Sequence, residues 1–369
     1  MKFVHLSDLH LGKRLLERSL IEDQECLLKK IINIIRQEEP DSILIAGDIY
    51  DKSIPSAEAV ELFDSFLSEL AKEKQEVFMV SGNHDSAERI AFGSSIFTNS
   101  GIHISPVYNG KIEPVHFKDA DLWLVPFIKP ANVKRFYPDR EISTYADAFE
   151  AAIGDMDLDE DRINIMVAHQ FVTGAEKGGS EEMSIGGVDN IDASLMKDFD
   201  YVALGHIHKK QMMGQRIRYC GTPMKYSFSE ISNRNSVTVI DITKKDLQIR
   251  EIDLVPKRDL KEIRGSFDEV MNEAYYAGMD LEDYYHIILT DEQDIPEGAT
   301  KLRSVYRNLL KLDYDNTRTR NQNRVTSIDL AEEKTTLELF DDFYEMVNGK
   351  KMSEEQTRIM ENVIEKVEG

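Results

Sequence analysis

Short apolar runs alternate with longer amphipathic stretches along this chain, and most of the apolar runs break off at a cluster of polar residues. Lys2 to Leu6 is a run of strand formers that predicts a buried central strand. Between Ser19 and Gln37, Leu20, Ile21, Leu27, Leu28, Ile31, Ile34 and Ile35 recur at helical spacing, and Pro40 ends that helix. Ser42 to Ala46 predicts a second buried strand. A second helix is expected from about Ser56 to Lys74, with Val60, Leu62, Phe63, Phe66, Leu67 and Leu70 apolar. Val77 to Val80 predicts a third strand. Strand and helix alternating at this pace imply parallel βαβ units, in which sites gather beyond the carboxyl ends of the strands.

Further along, Leu122 to Val125, Ile163 to Ala168 and Tyr201 to Leu204 read as strands and Thr144 to Ile153 as a helix. Residues 170–190 are glycine-rich and predict a loop. Ser236 to Ile242 and Leu247 to Leu254 form a hairpin-like pair, after which a boundary falls near Pro256. The expected organisation is a domain over 1–255, a smaller mixed domain over 256–330 and an acidic helical tail over 331–369. In the tail, Leu337, Phe340, Tyr344 and Val347 make one apolar stripe. Ser353-Glu-Glu-Gln356 is a capping-box signature opening a second helix, with Ile359, Met360, Val363, Ile364 and Val367 on one face. Two terminal stripes of this kind predict a groove-bound partner.

Composition narrows the classes. The 369 residues are 41% hydrophobic, enough for a sizeable core and more than one domain. No run of about 18 apolar residues offers a membrane span. The first apolar run is broken by Asp8 and His10, so it is no signal peptide, and Cys26 and Cys220 read as small buried hydrophobes in a reducing, cytoplasmic setting. A net charge of −23 argues against non-specific nucleic-acid binding by the chain as a whole. Residues 301–324 depart from this, with seven Lys or Arg against two Asp.

The candidate chemistry sits where the strands end: Asp8, His10, Asp48, Asn83, His84, His169, His206 and His208. A mixed carboxylate, carboxamide and imidazole set suits manganese, iron or zinc rather than a calcium cage. One such residue alone would read as a turn former or a hydrogen-bonded histidine. Five strand-end coincidences point instead to a two-metal site with one bridging carboxylate. His5, His103, His116 and His286 lack this context and are expected to be structural.

The motifs D-x-H, G-D-x-x-D, G-N-H-D, a lone histidine after a strand and G-H-x-H, in that order, resemble the calcineurin-like metallophosphoesterases. The stretches His5–Gly12, Gly47–Asp51, Val167–Phe171, Tyr201–His208 and Gly221–Glu230 resemble, within them, the SbcD-type nuclease subunits, bacterial counterparts of double-strand-break repair nucleases. The resemblance implies a two-sheet α/β sandwich flanked by helices, a smaller mixed α+β capping domain and a C-terminal helix-loop-helix. It implies one metal on Asp8, His10, Asp48 and His208, and a second on Asp48, Asn83, His169 and His206, most often manganese. His84 would act beside the scissile phosphate, oriented by Asp51.

It further implies DNA cleavage, as an exonuclease on double-stranded ends and an endonuclease on single strands or hairpins, within an ATP-driven complex. The tail 331–369 would bind an SbcC-type ATPase, and the chain would be a homodimer inside a heterotetramer, cytoplasmic and nucleoid-associated. Candidate DNA contacts are Lys13, Arg14, Lys177, Lys209, Lys210, Arg318, Arg320 and Arg324. The competing functions are a phosphoesterase acting on a small molecule or phosphoprotein, and a scaffold without chemistry. The intact ligand set disfavours the scaffold, and the Gly221–Glu230 motif, the second domain and the tail disfavour the other phosphoesterase.

Overall fold

In a computed structural model, the described residues are 1–176, 190–320, 337, 340–341, 344–345, 351–353 and 355–360. Two six-stranded sheets dominate them. The first runs in the order Leu247–Asp253, Ser236–Ile242, Lys2–Leu6, Ser42–Ala46, Glu76–Val80, Ile102–Ile104. Lys2–Leu6 is central as expected, antiparallel to Ser236–Ile242 and parallel to Ser42–Ala46. The second runs Gln211–Met213, Ile217–Tyr219, Tyr201–Gly205, Ile163–His169, Ala120–Val125, Pro114–Phe117. Its four inner strands are parallel.

Strand alternation explains the layering. Phe3, Leu44, Ala46, Phe78 and Val80 of the first sheet pack with Leu122, Leu124, Ile165, Val167, Tyr201 and Ala203 of the second, forming the core between the sheets. Their neighbours one residue on face outward. Val4, Ile43, Ile45, Val77 and Met79 meet Leu27, Leu28, Ile31 and Ile35 of the helix Ile21–Glu38 and Phe63, Phe66 and Leu70 of the helix Ala57–Lys72. On the opposite side Trp123, Met166, Val202 and Leu204 meet Ala148, Phe149 and Ala152 of the helix Tyr145–Ile153. The result is an α/β sandwich with helices on both outer faces.

Local signals set the helix ends. The side chain of Ser56 caps Ala57–Lys72, accepting from the Ala59 amide at 3.3 Å. Thr144 and Asp147 form a reciprocal capping box on Tyr145–Ile153. The first helix leaves through Glu39 in the left-handed region, φ 46°, just before Pro40.

Two compact units divide the chain. One comprises Met1–Ile263, Met271–Ile287 and Ala299–Leu312, and the other Arg264–Val270, Ile288–Gly298 and Asp313–Gly369. Strands Leu260–Gly265, Tyr284–Leu289 and Leu309–Tyr314 make a separate three-stranded sheet. In the tail, Ser353 and Gln356 make the expected capping box: the Ser353 amide donates to Gln356 Oε1 at 2.9 Å and the Gln356 amide to Ser353 Oγ at 3.4 Å. Leu337, Phe340 and Tyr344 are helical and half-buried, while Val347, Val363, Ile364 and Val367 lie outside the described residues.

Several expectations need correction. Val60 is 44% exposed rather than part of the packed face. The strands Ile102–Ile104, Pro114–Phe117, Gln211–Met213 and Ile217–Tyr219 add to those expected, being too short or too polar to give a periodic signal. The loop over 170–190 contains a two-residue parallel pairing, Phe171–Val172 with Asn190–Ile191. Both cysteines are free, Cys220 buried and Cys26 partly so. No helix among the described residues is long and apolar enough to cross a membrane.

Candidate metal centre

The strand ends of both sheets meet. Asp8 and His10 follow Lys2–Leu6, Asp48 follows Ser42–Ala46, and Asn83 and His84 follow Glu76–Val80. His169 ends Ile163–His169, and His206 and His208 follow Tyr201–Gly205. The chain reaches them through unusual backbone: Asp8, His10, Asp48 and His206 have φ of 52°, 42°, 49° and 100°. Non-glycine residues held there cost about 1–3 kcal/mol each, which the surrounding fold must offset. A Cβ at Gly205 would run into the Ala46 carbonyl oxygen, and one at Gly82 into the Asp48 carboxylate, so both positions need glycine.

All eight strand-end residues converge. His10 Nε2 and His208 Nε2 lie 3.1 Å apart, and Asp8 joins them with ligating atoms within 4.8 Å of one another. Asp48 Oδ2 is 3.7 Å from His10 Nε2 and 3.3 Å from His169 Nε2, between the two groups. Asn83 Oδ1 is 3.0 Å from His169 Nε2 and 2.8 Å from His206 Nδ1. His84 is less enclosed: its amide donates to Asp48 Oδ1 at 2.9 Å and its Nε2 is 3.9 Å from Asp48 Oδ2.

These donors fit two divalent cations. Glu230, fully buried, sits 2.8 Å from His208 Nδ1, and the Ala46 carbonyl accepts from His169 Nδ1 at 2.8 Å. Each bond holds a proton on Nδ1 and leaves Nε2 as a lone pair aimed inward. Lone pairs of two imidazoles, two carboxylates and a carboxamide then face one another in a buried space, an arrangement that repels itself unless a cation lies between. Burial pushes Asp8 up and His10 down from their ordinary values. Burial also opposes ionisation of Asp48 and His169, yet their mutual attraction wins. Asp48 is held below the usual carboxylate range and His169 is raised to about 9.

One expected role changes. The Asp51 carboxylate pairs with Lys13 at 2.7 Å, and it is the Asp51 backbone carbonyl that meets His84 Nδ1, at 3.0 Å. The side chain of Asp51 therefore does not orient His84. Sequence reasoning also missed two supports. Asp85 accepts from the amides of Ile49, Tyr50 and Gly82, tying the Asp48 and Asn83 loops together. Glu230 lies at the end of a recognised motif without an assigned task. For Asp85, the acid directly after Gly82-Asn83-His84 was the available signal.

The candidate DNA contacts are mostly engaged. Arg14 bonds the Glu17 carbonyl, Lys209 pairs with Glu176, and Lys210 with Glu251 at 2.6 Å. Arg318 pairs with Asp294 at 2.8 Å and Arg320 with Asp315 at 2.6 Å. Lys177 and Arg324 lie outside the described residues. The four histidines expected to be structural have partners: His5 with Tyr201, His103 with Glu76, His116 with Asp121 and His286 with Glu262.

Similarity to known proteins runs over most of the chain. The family model of calcineurin-like phosphoesterases matches residues 1–210, and one described as the type 5 capsule protein repressor C-terminal domain, which carries the SbcD name, matches residues 256–348. The SbcD component of the SbcCD nuclease of Staphylococcus epidermidis is 33% identical over 318 residues, covering 85% of each chain. Among solved structures, TT1561 of Thermus thermophilus aligns at TM-score 0.40 and 13% identity over 68% of this chain and 98% of its own. A dimetal phosphatase from Danio rerio aligns at 0.40 and 11% over 69% and 96%. The chain is a metal-dependent phosphodiester hydrolase that belongs to the calcineurin-like phosphoesterases and, within them, to the SbcD nuclease family.

Proposed function

We propose that this chain is the DNA-cutting component of an ATP-driven complex, hydrolysing phosphodiesters at double-stranded ends and in single strands or hairpins. The observation that carries the reading is the complete donor set at the junction of the two sheets, in a chain related over most of its length to the SbcD component of an SbcCD nuclease. Asp8, His10, Asp48 and His208 would hold one cation and Asp48, Asn83, His169 and His206 the other, with manganese the preferred ion. Such a pair, when bound, supplies Lewis-acid activation of water and of the phosphoryl oxygen.

The chain's own residues do the rest. Asp48 reaches both cation positions with one carboxylate. Glu230 and the Ala46 carbonyl fix the tautomers of His208 and His169. His84, held through Nδ1, presents Nε2 to the phosphate and gives its proton to the departing sugar oxygen, a contribution of about 100- to 10,000-fold.

Residues 331–369 bind the SbcC-type ATPase, and residues 256–330 contribute contacts to DNA. The homodimer is supported by a short apolar segment on the surface, where Phe92 is 81%, Ile96 69% and Phe97 41% exposed. The setting is cytoplasmic, at the nucleoid. Manganese-dependent cleavage of duplex DNA, compared with hydrolysis of bis(p-nitrophenyl) phosphate, tests the reading. The full chain should cut both, with DNA cleavage stimulated by the ATPase partner and ATP. A chain lacking residues 331–369 should keep the small-substrate activity, lose the ATP-stimulated cleavage of duplex DNA and fail to co-elute with that partner. Activity on the small diester alone, with the partner present, would favour a different phosphoesterase.

A further inference from the structure

We infer that the cavity beside His208 is a subsite for the backbone phosphate next to the one being cut. This rests on the reading of the centre as a DNA-cleaving site. The cavity holds about 390 Å³ and its wall includes His208, Lys209, Lys210, Thr222, Asn233 and Arg234. Three of its lining residues are cations and none is a carboxylate, in a chain whose net charge is −23. A pocket of that sign, sharing a wall with a candidate metal ligand, is suited to an anion that arrives together with the scissile group.

Two of its donors lack partners among the described residues. Lys209 and Lys210 are tied to Glu176 and Glu251, but Arg234 is exposed and makes no ion pair among the described residues. Asn233 Nδ2 is buried and has no hydrogen-bond partner among the described residues. A buried amide donor left unpaired is unfavourable, and a ligand oxygen would satisfy it. A guanidinium beside it matches the two non-bridging oxygens of a phosphodiester.

The cavity is built from loops fixed to the centre. The Thr222 amide donates to the His208 carbonyl at 3.2 Å, and Asn235 Nδ2 donates to the Thr222 carbonyl at 2.9 Å. Gly221, at φ +74°, allows this approach, since a Cβ there would lie 2.8 Å from the His208 carbonyl oxygen. The segment bearing Asn233 and Arg234 is thereby held in register with His208. A phosphate seated in the cavity would set where along a strand the cut falls.

The test uses the full chain with Arg234→Ala, Asn233→Ala and Arg234→Lys. Binding of a labelled single-stranded oligonucleotide is measured in EDTA across a salt series, so the readout does not depend on a loaded metal centre. Arg234→Ala should weaken binding roughly tenfold and reduce the magnitude of the log–log salt slope by about 0.7, one phosphate contact on a single strand. Asn233→Ala should weaken binding with the slope retained, and Arg234→Lys should restore the slope. With manganese, the ratio of kcat/KM on the oligonucleotide to that on bis(p-nitrophenyl) phosphate should fall about tenfold in Arg234→Ala. An unchanged slope, or equal losses on both substrates, would overturn the subsite. A wild-type chain that hydrolyses the small diester but neither binds nor cuts the oligonucleotide would overturn the DNA reading itself, a failure visible before any variant is made.

Discussion

The Nδ1 atom of His208 lies 2.8 Å from a Glu230 carboxylate that is wholly buried and that also accepts from the Tyr226 amide at 2.8 Å. Twenty-two residues of chain separate the two, so the pairing is made by the fold. A carboxylate behind a ligand histidine fixes ring and tautomer and raises ligand basicity. Glu230→Gln should therefore lower metal affinity about 10- to 100-fold while the chain stays folded. Titration calorimetry with manganese checks this, and wild-type affinity in the variant would remove Glu230 from the site's support.

His84 and Asp51 separate by variant. His84→Gln should keep metal stoichiometry and cut turnover at least about 100-fold. Asp51→Asn leaves the backbone carbonyl on His84 in place, so its turnover should stay within a few-fold of wild type, an effect of roughly 1 kcal/mol. Equal losses in the two variants would return the orienting role to the Asp51 side chain.

Asp48 lies between the two proposed cation positions, 3.7 Å from His10 Nε2 and 3.3 Å from His169 Nε2. Asp48→Ala should empty both positions together and abolish cleavage. Elemental analysis of the purified variant is the measurement, and two tightly held manganese ions would refute the bridging assignment.

Asp147 closes the capping box of Tyr145–Ile153, accepting from the Ser143 and Thr144 amides at 3.1 and 2.9 Å. These amides lower its carboxyl to about 2. A carboxyl depressed by folding contributes stability that is full above its unfolded value, near 4, and is lost as pH falls toward 2. Asp147→Asn should thus cost about 1 kcal/mol at pH 7, and the gap to wild type should narrow between pH 4 and 2. Urea unfolding at several pH values follows it; a gap independent of pH would contradict the cap.

Much of the fold and the site is written in the chain. The strands that lead into the site announce themselves by runs such as Ser42–Ala46, and the candidate ligand follows at once because the turn off a strand is local. What could not be read depends on distance or on main chain. Spacing does not say whether Asp51 offers its carboxylate or its carbonyl to His84. It does not pair His208 with Glu230, and it counts Lys13, Arg318 and Arg320 as free charges when acids already hold them. Short strands such as Ile217–Tyr219 have only three residues, too few for alternation to register.

Each proposed cation position draws ligands from both sheets, with His208, His169 and His206 facing Asp8, Asp48 and Asn83 across the sandwich. A cation there would act as a rivet between two layers otherwise joined mainly by apolar contact. Sliding one sheet past the other would pull its ligands apart, so metal affinity becomes a gauge of how well the layers are registered. Saturating manganese at about 100 times its dissociation constant should add roughly 2.7 kcal/mol per site to the folded state. Substitutions in the core between the sheets, far from any ligand, should then reveal themselves first as weakened metal retention.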